Sequence, residues 1–252
     1  MRFYSMMLGC FLVCLLLLPM FAVAGSFKVL PLKLSLDSNT KTTLFKVINT
    51  DEQAVIVQLQ AVDWQQDAQG EDVFVNTRDI VLFPKIVKLQ ADEERVVRIG
   101  FQAKTNSNEE KNYRIFAQEL PQRNLPGGTL NFALRFSVPV FIKPEKTREN
   151  YTIASSSIEN GWLKLVISNT GNQHIMLSSL TVNGVDESNQ HTFNVRENGW
   201  YVLPDVVKPF YISLPQVECK SSSRLDYTVE IASKLHRKSI VVDPANCNKQ
   251  QI

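Results

Sequence analysis

Residues 128–144 read GTLNFALRFSVPVFIKP, with apolar side chains at every second position: Leu130, Phe132, Leu134, Phe136, Val138, Val140 and Ile142. Strand side chains alternate between faces, so these seven project to one side. Asn131, Ala133, Arg135 and Ser137 take the other. The run starts just after the turn signal Pro126-Gly127-Gly128. Two readings fit: a strand that faces its own core, or a strand whose apolar row is offered to another protein.

The neighbouring segments share the strand character. Phe27–Leu36, Thr42–Val47, Ala54–Trp64, Val73–Val75, Ile80–Pro84, Arg95–Phe101 and Tyr113–Leu120 are rich in β-branched and aromatic residues. Polar turn clusters such as Asp37-Ser38-Asn39, Asn49-Thr50-Asp51 and Asp67–Asp72 separate them. Pro144–Glu149 (PEKTRE) is charged, lacks apolar pattern and reads as a linker. A second set of strand-like segments follows, from Tyr151–Ser155 to Lys238–Val242. No long amphipathic helix interrupts the series. This spacing predicts an all-β chain of two tandem immunoglobulin-like β-sandwich domains, over residues 25–145 and 146–252.

Residues 1–24 read as a cleavable leader. Arg2 supplies a short positive start, Met6–Met20 is almost wholly apolar, and Ala22-Val23-Ala24 is a small-x-small cleavage site. The expected product is exported and not inserted in a membrane. A net charge of +2, with Lys and Arg scattered, gives no basic tract for nucleic acid. Of the four cysteines, Cys10 and Cys14 leave with the leader. Cys219 and Cys247 remain, and in an oxidising compartment such a pair reads as a disulfide. With His174, His191 and His236 there is no zinc-ligand spacing, so neither a metal nor a cofactor is expected. Nor is there a nucleophile motif, phosphate loop or paired-carboxylate arrangement, so an enzyme is not expected.

Phe27–Asn49 with its Asn49-Thr50-Asp51 turn, Glu94–Ile99 (ERVVRI) and Tyr113–Pro121 (YRIFAQELP), ending in Glu119-Leu120-Pro121, form an ordered set of motifs. On them the chain resembles the periplasmic pilus (fimbrial) chaperones of the chaperone–usher pathway. In the second half, Ile167–His174 (ISNTGNQH) and Tyr201–Pro204 (YVLP) resemble the archaic branch.

The resemblance implies two immunoglobulin-like domains set at an angle. It implies a partner too: a pilus subunit that lacks one strand, which the chaperone supplies from the end of its first domain. Residues 128–144 occupy that donor position, with Leu130, Phe132, Leu134 and Phe136 as the anchors for the subunit groove. It further implies periplasmic localisation, delivery to an outer-membrane usher, and a basic anchor for the subunit's terminal carboxylate. Lys33 matches the first anchoring base, commonly Arg, and also fits a solvated edge lysine. The second, usually a Lys near Ser137–Pro139, has no counterpart here; Arg114 and Arg135 are the candidates to replace it. Arg98 and Glu110 match positions that form an interdomain or core ion pair. The apolar row also predicts self-association without a subunit, leaving the resting state monomer or dimer. A pilus subunit or adhesin is the rival reading. Such a protein would carry its donor segment as an N-terminal extension, whereas here the best apolar strand lies mid-chain.

Overall fold

The computed structural model describes residues 26–37, 40–102, 108–121 and 133–249. The expected leader, and Leu130 and Phe132 of the apolar row, lie outside them. The first half runs β1 (Phe27–Leu30), β2 (Leu34–Leu36), β3 (Thr42–Asn49), β4 (Val55–Gln66), β5 (Asp72–Asn76), β6 (Ile80–Phe83), β7 (Ile86–Leu89), β8 (Glu94–Phe101), β9 (Lys111–Glu119) and β10 (Arg135–Ile142). One sheet has the order β1-β3-β8-β6, and the facing one β2-β10-β9-β4-β5 with β7 also on β4. The second half continues with β11 (Tyr151–Glu159), β12 (Trp162–Asn169), β13 (Ile175–Val185), β14 (His191–Asn198), β15 (Tyr201–Val202), β16 (Val207–Ser213), helix α1 (Gln216–Ser221), β17 (Arg224–Ile231) and β18 (Lys234–Val241). Its sheets are β11-β12-β16 and β14-β13-β17-β18, with β15 on β13. The chain is thus two β-sandwiches in tandem.

Alternation builds both cores. In β17 (RLDYTVEI), Leu225, Tyr227, Val229 and Ile231 are buried and the residues between them are half-buried. In β8, Val97 and Ile99 point inward, so Arg98 between them faces out. Two expectations are corrected. Phe27–Leu36 is two strands: β1 pairs with β3 and β2 pairs with β10, so the segment changes sheet at Pro31-Leu32-Lys33. Pro31 has no N–H to give a ladder, which favours a break there. A strand at Ile86–Leu89 was not expected; it pairs with β4 just after Pro84.

The two sandwiches close one corner in the same way. Asn49, at the end of β3, is 1% exposed, and its Nδ2 donates to Gln53 O (2.8 Å), Leu89 O (3.4 Å) and Gln90 O (2.8 Å). Asn169, at the end of β12, is also 1% exposed, and its Nδ2 donates to Gln173 O (2.9 Å), Val202 O (3.0 Å) and Leu203 O (3.1 Å). Each amide oxygen accepts the N–H two residues on, from Asp51 and Gly171. Both lie in the pattern Asn-Thr-x-x-Gln, at residues 49–53 and 169–173. A buried carbonyl needs a donor, and one amide here serves three.

Cys219 of α1 is bonded to Cys247, which lies in the 3-10 turn Pro244–Cys247, and both are fully buried in the second core. The bridge spans 28 positions, and closing such a loop stabilises by about 3–4 kcal/mol in the chain-entropy model. Replacing both cysteines by serine is expected to lower the unfolding free energy of the second sandwich by about that amount, read from a urea titration. A loss under about 1 kcal/mol would show that the turn is held without the bridge.

Candidate functional site

The site starts from the hydrogen-bond parity of β10. Arg135 to Ile142 pair antiparallel with Gln118 to Lys111 of β9. The N–H of Glu119 bonds Leu134 O at 2.9 Å, so even-numbered residues exchange bonds with β9. Odd-numbered residues turn their backbone groups to the opposite edge. There β2 runs parallel to β10, with Val140, Phe141 and Ile142 opposite Leu34, Ser35 and Leu36. Beyond β2, among the described residues, no strand covers Arg135 and Ser137 on that side. Their N–H and C=O groups form an open edge, a template for one more strand.

The even-numbered side chains face the first core. Val138, Val140 and Ile142 are fully enclosed, and Leu134 and Phe136 are partly buried against the same core. Phe136 meets Phe27 edge-on at 5.0 Å. The row is therefore not offered outward along its whole length: its C-terminal part is the domain's own core, and enclosure loosens toward Leu134. Glu119 ties down this loosening end, its Oε2 accepting from Leu134 N–H at 3.4 Å and Ser26 Oγ at 2.5 Å.

Beside the open edge lies a basic row. Lys33 comes one step before the first β2 pair, Val140 with Leu34, and so stands level with Pro139. Pro139 in turn is opposite Arg114 of β9. Two strand spacings put the Lys33 and Arg114 backbones about 10 Å apart. Lys33 is exposed. Arg114 is 2% exposed, and its Cζ lies 3.7 Å from the ring centre of Trp64, 4.9 Å from Trp200 and 5.7 Å from Tyr201. Its Nε and Nη2 have no hydrogen-bond partner among the described residues. Burial pulls the guanidinium below its usual pKa, against the fields of Asp72 and Tyr201. A guanidinium this enclosed, with donors unspent, is a strong attractor for an anion. Arg135 is placed differently: it is exposed, on the same strand edge as Ser137, with its Cζ 3.8 Å from the Phe116 ring centre.

The Trp200 and Tyr201 side chains come from the second sandwich, so Arg114 lies in the cleft between the two. Trp64, Phe141 and Leu203 form a small shared core there. The His174 ring stacks on Phe141 at 3.6 Å. Gln66 Nε2 donates to Tyr201 O and Gln66 Oε1 accepts from Leu203 N–H, both at 3.0 Å. Trp200 Nε1 donates to Asp72 Oδ2 at 2.9 Å, and Lys208 Nζ donates to Gly70 O.

The expected pairing of Arg98 with Glu110 does not form. Glu110 is buried and accepts from His174 N–H at 3.0 Å and His174 Nδ1 at 2.8 Å, an interdomain contact with a different partner. Arg98 is exposed on the outer face of the other sheet, beside Leu44 and Phe83. Leu130 and Phe132 lie outside the described residues. The sequence reading missed Trp64, Trp200, Tyr201 and His174 as cleft residues; the YVLP and ISNTGNQH segments held the signal but gave no partner across the cleft.

Residues 26–148 match the family described as pili and flagellar-assembly chaperone, PapD N-terminal domain. A comparison of the sequence with curated proteins gives no match. Among solved structures, a chain of the CsuC–CsuE chaperone–tip adhesion subunit pre-assembly complex from archaic chaperone-usher Csu pili of Acinetobacter baumannii is similar at 20% identity and a TM-score of 0.58, covering 86% of this chain and 98% of that one. The CupB2 chaperone of Pseudomonas aeruginosa is similar at 13% identity and a TM-score of 0.53, covering 86% and 100%. A chain of the Salmonella enterica SafA pilin complex with the SafB chaperone is similar at 16% identity and a TM-score of 0.52, covering 88% and 98%. At these identities the structures speak for the shared fold. With the family match over residues 26–148, the first domain of the chain belongs to the pili and flagellar-assembly chaperones.

Proposed function

We propose that this protein is a periplasmic chaperone that completes an unfinished pilus subunit with its own strand β10 and hands the subunit to an outer-membrane usher. The observation that carries the reading is the open edge at Arg135 and Ser137, next to exposed Lys33 and to a cleft holding Arg114, whose Nε and Nη2 have no hydrogen-bond partner among the described residues. A subunit that lacks a strand exposes an apolar groove and unpaired backbone groups. The open edge supplies backbone partners. Leu130, Phe132, Leu134 and Phe136 supply apolar surface, each worth roughly 1.5–3 kcal/mol when fully buried. A subunit strand running parallel to β10 ends at Lys33, which places its terminal carboxylate among the cleft cations. The domain boundary falls at residues 145/146, and residues 1–24 direct export before removal. Usher delivery is supported by family membership alone.

Co-expression with a subunit of the same pilus tests this. A one-to-one complex on size exclusion is expected. Lys33→Ala combined with Arg114→Ala is expected to weaken capture by about 2–5 kcal/mol, at least roughly 30-fold, while the protein still melts as a folded chain. Unchanged capture by the double variant would remove the carboxylate anchor.

A further inference from the structure

We infer that Pro139 divides the edge of β10, keeping the chain's own strand β2 from closing over the part that an incoming subunit strand must use. The inference rests on the donor-strand reading above and adds what holds that edge open.

The argument is backbone geometry. Odd-numbered residues of β10 face the β2 side. Lys143 N–H bonds Leu36 O there at 2.9 Å. Parallel ladders repeat every second residue, so the next donor back is Phe141, facing Leu34, and the next is residue 139, facing Leu32. Residue 139 is proline and has no N–H to donate. The register with β2 accordingly begins at Val140 opposite Leu34, and not earlier. On the β9 side the proline disrupts nothing, because Pro139 and Arg114 form a non-hydrogen-bonded pair.

Without that stop, the residues before Leu34 could follow β10 further. Leu32 and Lys33 are exposed and belong to no strand, so they are the residues that a longer β2 would take up. Each added rung would take backbone groups of β10 from the subunit. The proline thus sets a boundary: Val140 to Ile142 belong to β2, and Ser137 and Arg135 are left for an extended strand from another chain.

Two substitutions in the full-length protein separate this idea from the reading beneath it. Wild type and variant, differently tagged, compete for one co-expressed pilus subunit. Ser137→Pro removes an N–H from the open edge without touching the β9 ladder, and a loss of capture of about tenfold is expected. Capture unchanged by Ser137→Pro would overturn the donor-edge reading itself. Pro139→Ala restores a donor opposite Leu32. The amide of residue 139 is expected to be protected from hydrogen exchange in the unbound protein, and capture to fall about fivefold. If Ser137→Pro lowers capture while Pro139→Ala captures as well as wild type or better, or if the residue-139 amide exchanges freely in the unbound protein, the divider is overturned and the donor edge stands.

Discussion

Asn169→Ala is expected to destabilise the second sandwich by about 3–5 kcal/mol, more than any surface substitution in the same domain. The side-chain amide donates to Gln173 O, Val202 O and Leu203 O, and its oxygen receives Gly171 N–H at 3.0 Å. Alanine supplies none of these, and the bonds to Val202 and Leu203 are buried from water. A buried carbonyl left without a donor costs about 1–3 kcal/mol. Asn49→Ala is expected to act alike on the first sandwich. A control is Asn194→Ala, which removes only an exposed bond to Asn183 and should stay within about 0.5 kcal/mol. Urea titration of the three variants reads the difference. A loss near that of the control for Asn169→Ala would mean that water or a shifted loop satisfies the carbonyls.

The second large effect is on binding. Phe132→Ser combined with Leu134→Ser is expected to abolish subunit capture while the protein stays folded. Each lost side chain removes roughly 1.5–3 kcal/mol of apolar burial, so the pair lowers affinity by about two to four orders of magnitude. Leu134 is only partly buried in its own core, so the unbound protein tolerates the change. Co-purification at wild-type yield would exclude the apolar row as the anchor. Val138→Ser is the instructive contrast. Val138 is fully enclosed in the first core, and its loss should unfold the domain rather than free the subunit.

Strand parity explains why so much of this was legible beforehand. Alternation in β17 and β10 assigns faces without any tertiary information, and the same rule, applied to Val97 and Ile99, already turns Arg98 outward. The resemblance that made Arg98 a pair for Glu110 overrode the local pattern, and the pattern was right. Cys219 and Cys247 were readable because they are the only cysteines after residue 24. The split of Phe27–Leu36 between two sheets was less readable: Pro31 marks a break, but which sheet receives each piece depends on partners far along the chain. The cleft was least readable of all. Arg114 and Trp64 lie on separate strands of the first domain and Trp200 in the turn before β15 of the second, and nothing in their local sequence says that they stack. Likewise Pro139 was noticed only as the place where a lysine was missing, although its main consequence lies in the backbone.

The seam of Trp64, Phe141 and Leu203, bolted by Gln66 and Glu110, bears on how cargo is aimed. Stacked rings and a dry guanidinium leave little room for the halves to pivot. Under the proposed function the second sandwich then serves as a handle: whatever grips it also sets the direction of strand β10.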